Sequence, residues 1–242
     1  MEKLVYLLWA PEARSGDAIR DDLLAAEPAL TAAGALGITV NVRDSDADFP
    51  PPVPPPEGET LPIAQVSLWL DCHDRRGPCE EILARICPRL AVYLVSEALY
   101  RDYGGNPHAP VRDWPDGERS PGVLVLTLLE RPEHLDKPAW LAHWHGVQSP
   151  VSEELQPRTR YVRNEVIRSL GEDAPPWEGI VEECWPSAGH VTDPLLFYLA
   201  DGSPERMREH VSRMMESVTA FLELPRIRCI PMSEYLVKTL GR

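Results

Sequence analysis

The residues best equipped for chemistry crowd into one string: Trp140-Leu-Ala-His143-Trp144-His145-Gly-Val-Gln148-Ser-Pro150-Val151. Imidazoles titrate near neutral pH and can move protons. A glutamine amide orients a carbonyl but takes up no proton. At about 100° per residue, Trp140, Trp144, Val147 and Val151 share one helical stripe, His143 and Gln148 flank it on opposite sides, and His145 points away. The stripe fits core packing or the wall of an apolar site; His143 fits a boundary residue or an acid/base. His190, in Ser187-Ala-Gly-His190, is a second acid/base candidate or a loop residue ahead of a helix cap at Thr192 or Asp193. Tyr161 and Asn164 on a later strand face opposite sides unless a bulge intervenes. Glu182 lies within another strand, as an exposed residue or as a buried carboxylate with a raised pKa and base character. Asp71-Cys72-His73-Asp74 carries ligand-type side chains, but four consecutive residues rarely converge on one ion, so no metal site is expected.

The elements that must position these groups occur twice. Leu4–Glu12 and Leu124–Glu133 are each an apolar run that stops at Pro-Glu, as a buried strand would. Helical patterns follow: Ile19, Leu23, Ala26, Leu30 and Ala33 in the first half, the tryptophan stripe in the second. Each carries a late proline, Pro28 or Pro150, at a shared offset, and each should kink there. Second strands are expected at Gly37–Asp44 and Arg158–Ser169, third strands at Ala64–Cys72 and Gly179–Trp185, and last strands at Ala91–Arg101 and Arg226–Lys238. Pro50–Pro62 reads as an extended, solvated polyproline loop. Ser203 and Pro204 open a helix whose stripe is Met207, Val211, Met214, Val218 and Phe221. The order is βαββαβ twice: two ferredoxin-like units, residues 1–103 and 122–242, joined by a linker at 104–121. Such a unit covers one sheet face with helices, so two open faces should meet. The fold class expected is α+β, a single intrachain α+β barrel with a cavity between the sheets.

The tryptophan string, with Arg160-Tyr161-Val162-Arg163-Asn164 on the next strand, resembles the EthD-like family of dimeric α+β barrel proteins. Trp140, Trp144, Pro150, Tyr161, Val162 and Asn164 match that family's pattern. His143 stands where the family has Tyr, and Gln148 where it has His. The motif match spans roughly residues 122–238; the first half matches by element order, with about Ala26 opposite Gln148. The resemblance implies a small-molecule pocket and oxidoreductase-like or cyclase-like chemistry. The residues taken as catalytic are His143 and His190, and those taken as substrate-binding are Trp140, Trp144, Gln148, Tyr161, Asn164 and Glu182. No cofactor is expected on this reading. A related haem-binding barrel is the alternative, and it would need a proximal histidine, His190 or His73.

Composition narrows the rest. The 242 residues carry 24 Lys and Arg against 38 Asp and Glu, a formal charge of −14 that opposes nucleic-acid and anionic-membrane partners. No apolar run reaches transmembrane length, and the N-terminus is wrongly flanked for a signal peptide, so a cytoplasmic location is expected. Five cysteines without CxxC spacing exclude a zinc ribbon and argue against a disulfide framework. GxGxxG, GxxxxGK[ST], GxSxG and HExxH are all absent. The function expected is an enzyme, working without a cofactor, that oxidises, cyclises, dehydrates or isomerises a small apolar or aromatic molecule. A non-catalytic binding protein and a structural protein with a filled barrel are the alternatives. A tandem chain can close its barrel alone, leaving outer surfaces for any homodimer.

Overall fold

The computed structural model describes residues 1–11 and 14–241. The described residues form eight strands: β1 (Glu2–Trp9), β2 (Gly37–Val42), β3 (Ala64–Leu70), β4 (Arg89–Arg101), β5 (Val123–Leu129), β6 (Arg160–Ser169), β7 (Gly179–Trp185) and β8 (Arg228–Lys238). They pair antiparallel in the closed order β1-β3-β2-β8-β5-β7-β6-β4. Within each half the neighbours repeat, and the seams β2–β8 and β4–β6 join first-half to second-half strands. One chain therefore closes the barrel. Strand–helix–strand–strand–helix–strand is the observed order in both halves.

Helices coat the outside. α1 (Gly16–Ala25), α2 (Glu27–Ala32) and α3 (Gly77–Ile86) cover the first half. α4 (Lys137–His143), α5 (Ser149–Leu155), the short α6 (Gly189–Thr192) and α7 (Pro194–Phe197), and α8 (Pro204–Thr219) cover the second. Side-chain caps start them where expected: Ser203 Oγ accepts from Arg206 N at 3.2 Å, and Asp193 Oδ1 from Leu195 N at 2.9 Å. The first-half helix breaks at Ala26, just before Pro28.

Both sheet faces are buried, which is why the strands read as continuous apolar runs. On β1, Leu4, Tyr6 and Leu8 pack under the first-half helices, while Val5, Leu7 and Trp9 point into the barrel. The expected cavity between the sheets is present at one end of the barrel, about 350 Å³ lined by Thr39, Trp69 and Glu97 from the first half and Arg160, Leu236 and Lys238 from the second, and the rest of the interior is packed. Val5, Leu7, Tyr93, Leu126, Ile180 and Met232 pack much of it. The part nearest Lys3 is a charged cluster. Lys3 Nζ donates to Glu97 (2.8 Å) and Glu182 (3.2 Å), and Arg160 Nη1 donates to Glu234 (2.7 Å). The hydroxyls of Tyr103, just after β4, and of Ser120, in the linker, also donate to Glu234, each at 2.7 Å. No helix among the described residues is long and apolar enough to cross a membrane.

Candidate functional site

Between the outer face of the second-half sheet and its helices lies a cavity of about 340 Å³. β5, β7 and β8 supply Val125, Val181 and Cys229. The helical side supplies Trp144, Met214, Phe197 and Phe221. Pro52 and Val53, from the polyproline loop of the first half, complete the wall. That loop, expected to be solvated throughout, lays Phe49 and Val53 on the second-half core.

Pro150 shapes the site. It has no N–H to close a bond to the Gly146 carbonyl, so the turn Trp144–Gln148 opens to a π conformation. Ser149 N–H reaches the Trp144 carbonyl instead, and Ser149 Oγ donates to the same oxygen at 2.9 Å. The wide turn shifts the helical phase. Ser149 becomes fully buried, Gln148 reaches the cavity, and Val147, expected in the stripe, is 43% exposed. Trp140 and Trp144 remain on the buried side with ring centroids 5.0 Å apart. Both lie over Gly179, where a Cβ would sit 2.9 Å from Trp144 Cη2 and 3.2 Å from Trp140 Cη2.

The polar groups converge below this wall. Trp144 Nε1 donates to Tyr161 Oη at 3.2 Å. Arg158, whose side chain is 1% exposed, stacks 3.8 Å from the Tyr161 ring centroid and donates to Glu183 Oε1 at 2.9 Å. Thr127 Oγ1 donates to Glu183 Oε2 at 3.3 Å. Gln148 Nε2 contacts Met214 Sδ at 3.3 Å, while Gln148 Oε1 and Trp185 Nε1 are buried without a protein partner. Burial pushes the Cys229 thiol up to about 12, so it stays protonated.

The structure divides the anticipated residues. Trp144, Gln148 and Tyr161 line the cavity, with Trp140 packed behind them. His143 does not line it. Its Nε2 donates to the Ser217 carbonyl at 2.9 Å and its ring stacks on Phe221, pinning α4 to α8. His190 is held in the turn after β7 by Ser187 Oγ at 2.9 Å, also off the cavity. Asn164 and Glu182 face the barrel interior, where Asn164 Nδ2 donates to Glu182 at 3.0 Å. Strand alternation without an intervening bulge puts them opposite Tyr161. Burial alone would raise the Glu182 pKa. Lys3 and Arg160, with hydrogen bonds from Asn164 and Lys3, outweigh it and hold the carboxyl below its ordinary range. Both alternatives for Glu182 are therefore corrected: it is neither exposed nor raised in pKa, but a buried, paired anion. Arg158, Thr127 and Glu183 escaped the sequence reading. The signal for Glu183 was period two: it shares a face with Val181 and Trp185 and pairs directly with Tyr161.

No protein-family model matches the chain, and no curated protein matches it. The EthD-like likeness therefore stays a resemblance. Solved structures share the fold. An anthrone oxidase-like protein matches with a TM-score of 0.52 and 11% identity, over 99% of this chain and 95% of its own. A monooxygenase-type protein from Fusobacterium nucleatum subsp. nucleatum matches with a TM-score of 0.49 and 9% identity, over 98% and 92%. A chlorite dismutase-type protein matches with a TM-score of 0.46 and 10% identity, over 98% and 96%. The first of these shows that the fold is shared. Chlorite dismutases bind haem, and their presence among the matches overturns the expectation of a cofactor-free protein. The residues of this cavity nevertheless do not fit a haem. Its lining holds no histidine, its cysteine is kept as the thiol, and Met214 Sδ is engaged by Gln148. His73 and His190, the proximal candidates, both lie off it.

Proposed function

We propose that this chain is an oxidoreductase-like barrel protein that takes a small, flat, apolar or aromatic molecule into the helix-side cavity of its second half. The observation that carries this reading is the lining itself: a mainly apolar, aromatic wall with a few polar groups gathered on one side. Trp144, Trp185, Phe197 and Phe221 would hold the ring system. Gln148 and Tyr161 would orient a carbonyl or phenol, with Gln148 Oε1 and Trp185 Nε1 offering an acceptor and a donor that no protein group uses. Glu183 is the carboxylate on the lining, held by Arg158 at 2.9 Å, and is the group placed to accept a proton from a phenol or an activated C–H. Behind this stands a reading of the chain as two ferredoxin-like units, 1–103 and 122–242, linked by 104–121. The second unit carries the site, the first closes the barrel and supplies part of the roof, and any homodimer would use outer surfaces.

The lack of a histidine on the lining favours one alternative, a protein that binds such a molecule without converting it. Incubation with a tricyclic aromatic ketone such as anthrone, with ligand and product followed by mass spectrometry, separates the two. Conversion that falls at least tenfold in Glu183→Gln supports the enzyme. Stoichiometric binding with unchanged ligand supports the binder. Absence of both binding and conversion across a panel of flat aromatic ketones and phenols refutes the proposal.

A further inference from the structure

A second constellation lies at the start of β1, sharing no residue with the cavity. Cys72 and His73 follow β3, and β3 runs antiparallel to β1 with Leu70 opposite Glu2. The chain leaving β3 therefore folds back across the first residue of β1. One donor atom each from Glu2, Cys72 and His73 lie within 4.8 Å of one another, all on half-buried residues. This is a carboxylate, a thiol and an imidazole from two segments, brought together by strand register. The four-residue Asp71–Asp74 run could not converge by itself; Glu2 supplies the group that it lacked.

We infer that Glu2, Cys72 and His73 form a binding site for a zinc-type divalent cation. Mixed sulfur, nitrogen and oxygen donors suit zinc, and three protein ligands leave a fourth position for water. The site is partly prearranged. Glu2 Oε2 accepts from the His73 backbone N–H at 2.6 Å and lies 2.8 Å from His73 Nδ1. Arg168 Nη2 lies 2.7 Å from His73 Nε2, and a guanidinium donates only, so Nε2 is the acceptor and Nδ1 carries the proton. Metal at Nδ1 reverses this. The Cys72 thiol loses its proton to solvent as the sulfur–metal bond forms. The imidazole proton ends on Nε2, where Asp74 Oδ1, 3.5 Å away, can accept it, and Arg168 must turn aside. A carboxylate behind the ligating imidazole is the usual support for such a ligand. Arg168 is thus a competitor of the metal, and removing it should strengthen binding.

The test uses the untagged full chain stripped of metal and titrated with Co²⁺, read by thiolate-to-cobalt charge-transfer absorption and displaced by Zn²⁺. Cys79, Cys87, Cys184 and Cys229 are buried, so the signal from folded protein reports Cys72. The wild type should bind one cobalt per chain. Cys72→Ser should lose the charge-transfer band, and His73→Ala and Glu2→Gln should bind roughly tenfold or more weakly. Arg168→Ala, which removes no ligand, should bind more tightly. Zn²⁺ should raise the thermal midpoint of the wild type and not of Cys72→Ser. A wild type that shows no charge-transfer band, or a band that persists in folded Cys72→Ser, overturns the site. Weaker binding by Arg168→Ala overturns the proposed ligand atom of His73.

Discussion

Adding one methyl group at Gly179 should disturb the whole helix–sheet wall of the cavity. The Cβ of Gly179→Ala would lie 2.9 Å from Trp144 Cη2, 3.0 Å from Trp144 Cζ3 and 3.2 Å from Trp140 Cη2. Both indoles are fully buried and packed on each other, so they cannot retreat without moving α4 or the wide turn that follows it. Overpacking of this kind costs about 1–3 kcal/mol. Alanine returns about 0.4–1 kcal/mol by restricting the unfolded chain. The net loss should reach about 2.5 kcal/mol, which at this chain length lowers the thermal midpoint by about 5–10 °C. The clashing atoms of Trp144 belong to the outer ring of its indole. In a Trp144→Phe background those atoms are gone, and most of the cost of Gly179→Ala should vanish. Thermal or urea unfolding of the wild type, both single variants and the double variant measures this coupling directly. Additive losses would refute the placement of Trp144 over β7, and with it the account of how Gln148 and Tyr161 reach the cavity.

Three further outcomes follow from the same geometry. Val147→Lys should change stability by no more than about 0.5 kcal/mol, because the π turn leaves this residue at the surface; a loss of several kcal/mol in urea unfolding would restore a regular helix. Glu182 has a folded pKa below its ordinary value of 4.5, so its contribution is complete above that value and fades as pH falls through the folded one. Unfolding measured from pH 7 down to pH 3 should therefore show an acid-labile component that Glu182→Gln removes. Cys229, buried with its thiol pushed up to about 12, should resist a thiol reagent until the protein unfolds, while half-buried Cys72 reacts in the folded state. Mass mapping of the labelled peptides reads both.

The doubled strand and helix pattern was legible because most strands are buried on both faces over most of their length and many are bounded by Pro, Gly or Asp. β7 runs over the residues expected, and β2, β3, β6 and β8 differ from expectation by up to two residues at an end. Both late prolines disrupt their helices. What the periodicity could not convey was how the second break is absorbed. A kink and a wide turn follow from the same missing N–H, and only the wide turn rotates Val147 outward and Gln148 inward. The cavity between the sheets was legible, whereas the helix-side one was not. Two open sheet faces do meet, and the space between them is a cavity beside the paired charges of Lys3, Arg160, Glu182 and Glu234. A pairing among residues this far apart in sequence leaves no local signal. His143 and His190 were singled out by chemical type alone. Their nitrogens turn out to be tied to Ser217 and Ser187, contacts that depend on where α8 and the turn after β7 come to rest.

In the proposed function a flat aromatic molecule occupies the space between the second-half sheet and its helices. Met215, a flexible half-buried side chain on the lining, offers the direct test. Met215→Trp should fill the cavity while leaving the fold intact by circular dichroism. Equilibrium binding of anthrone, followed by the ligand's own absorbance, is the measurement. Saturable one-to-one binding to the wild type is expected, with at least a tenfold loss in Met215→Trp. Equal affinity in both folded proteins would place the ligand elsewhere and contradict it.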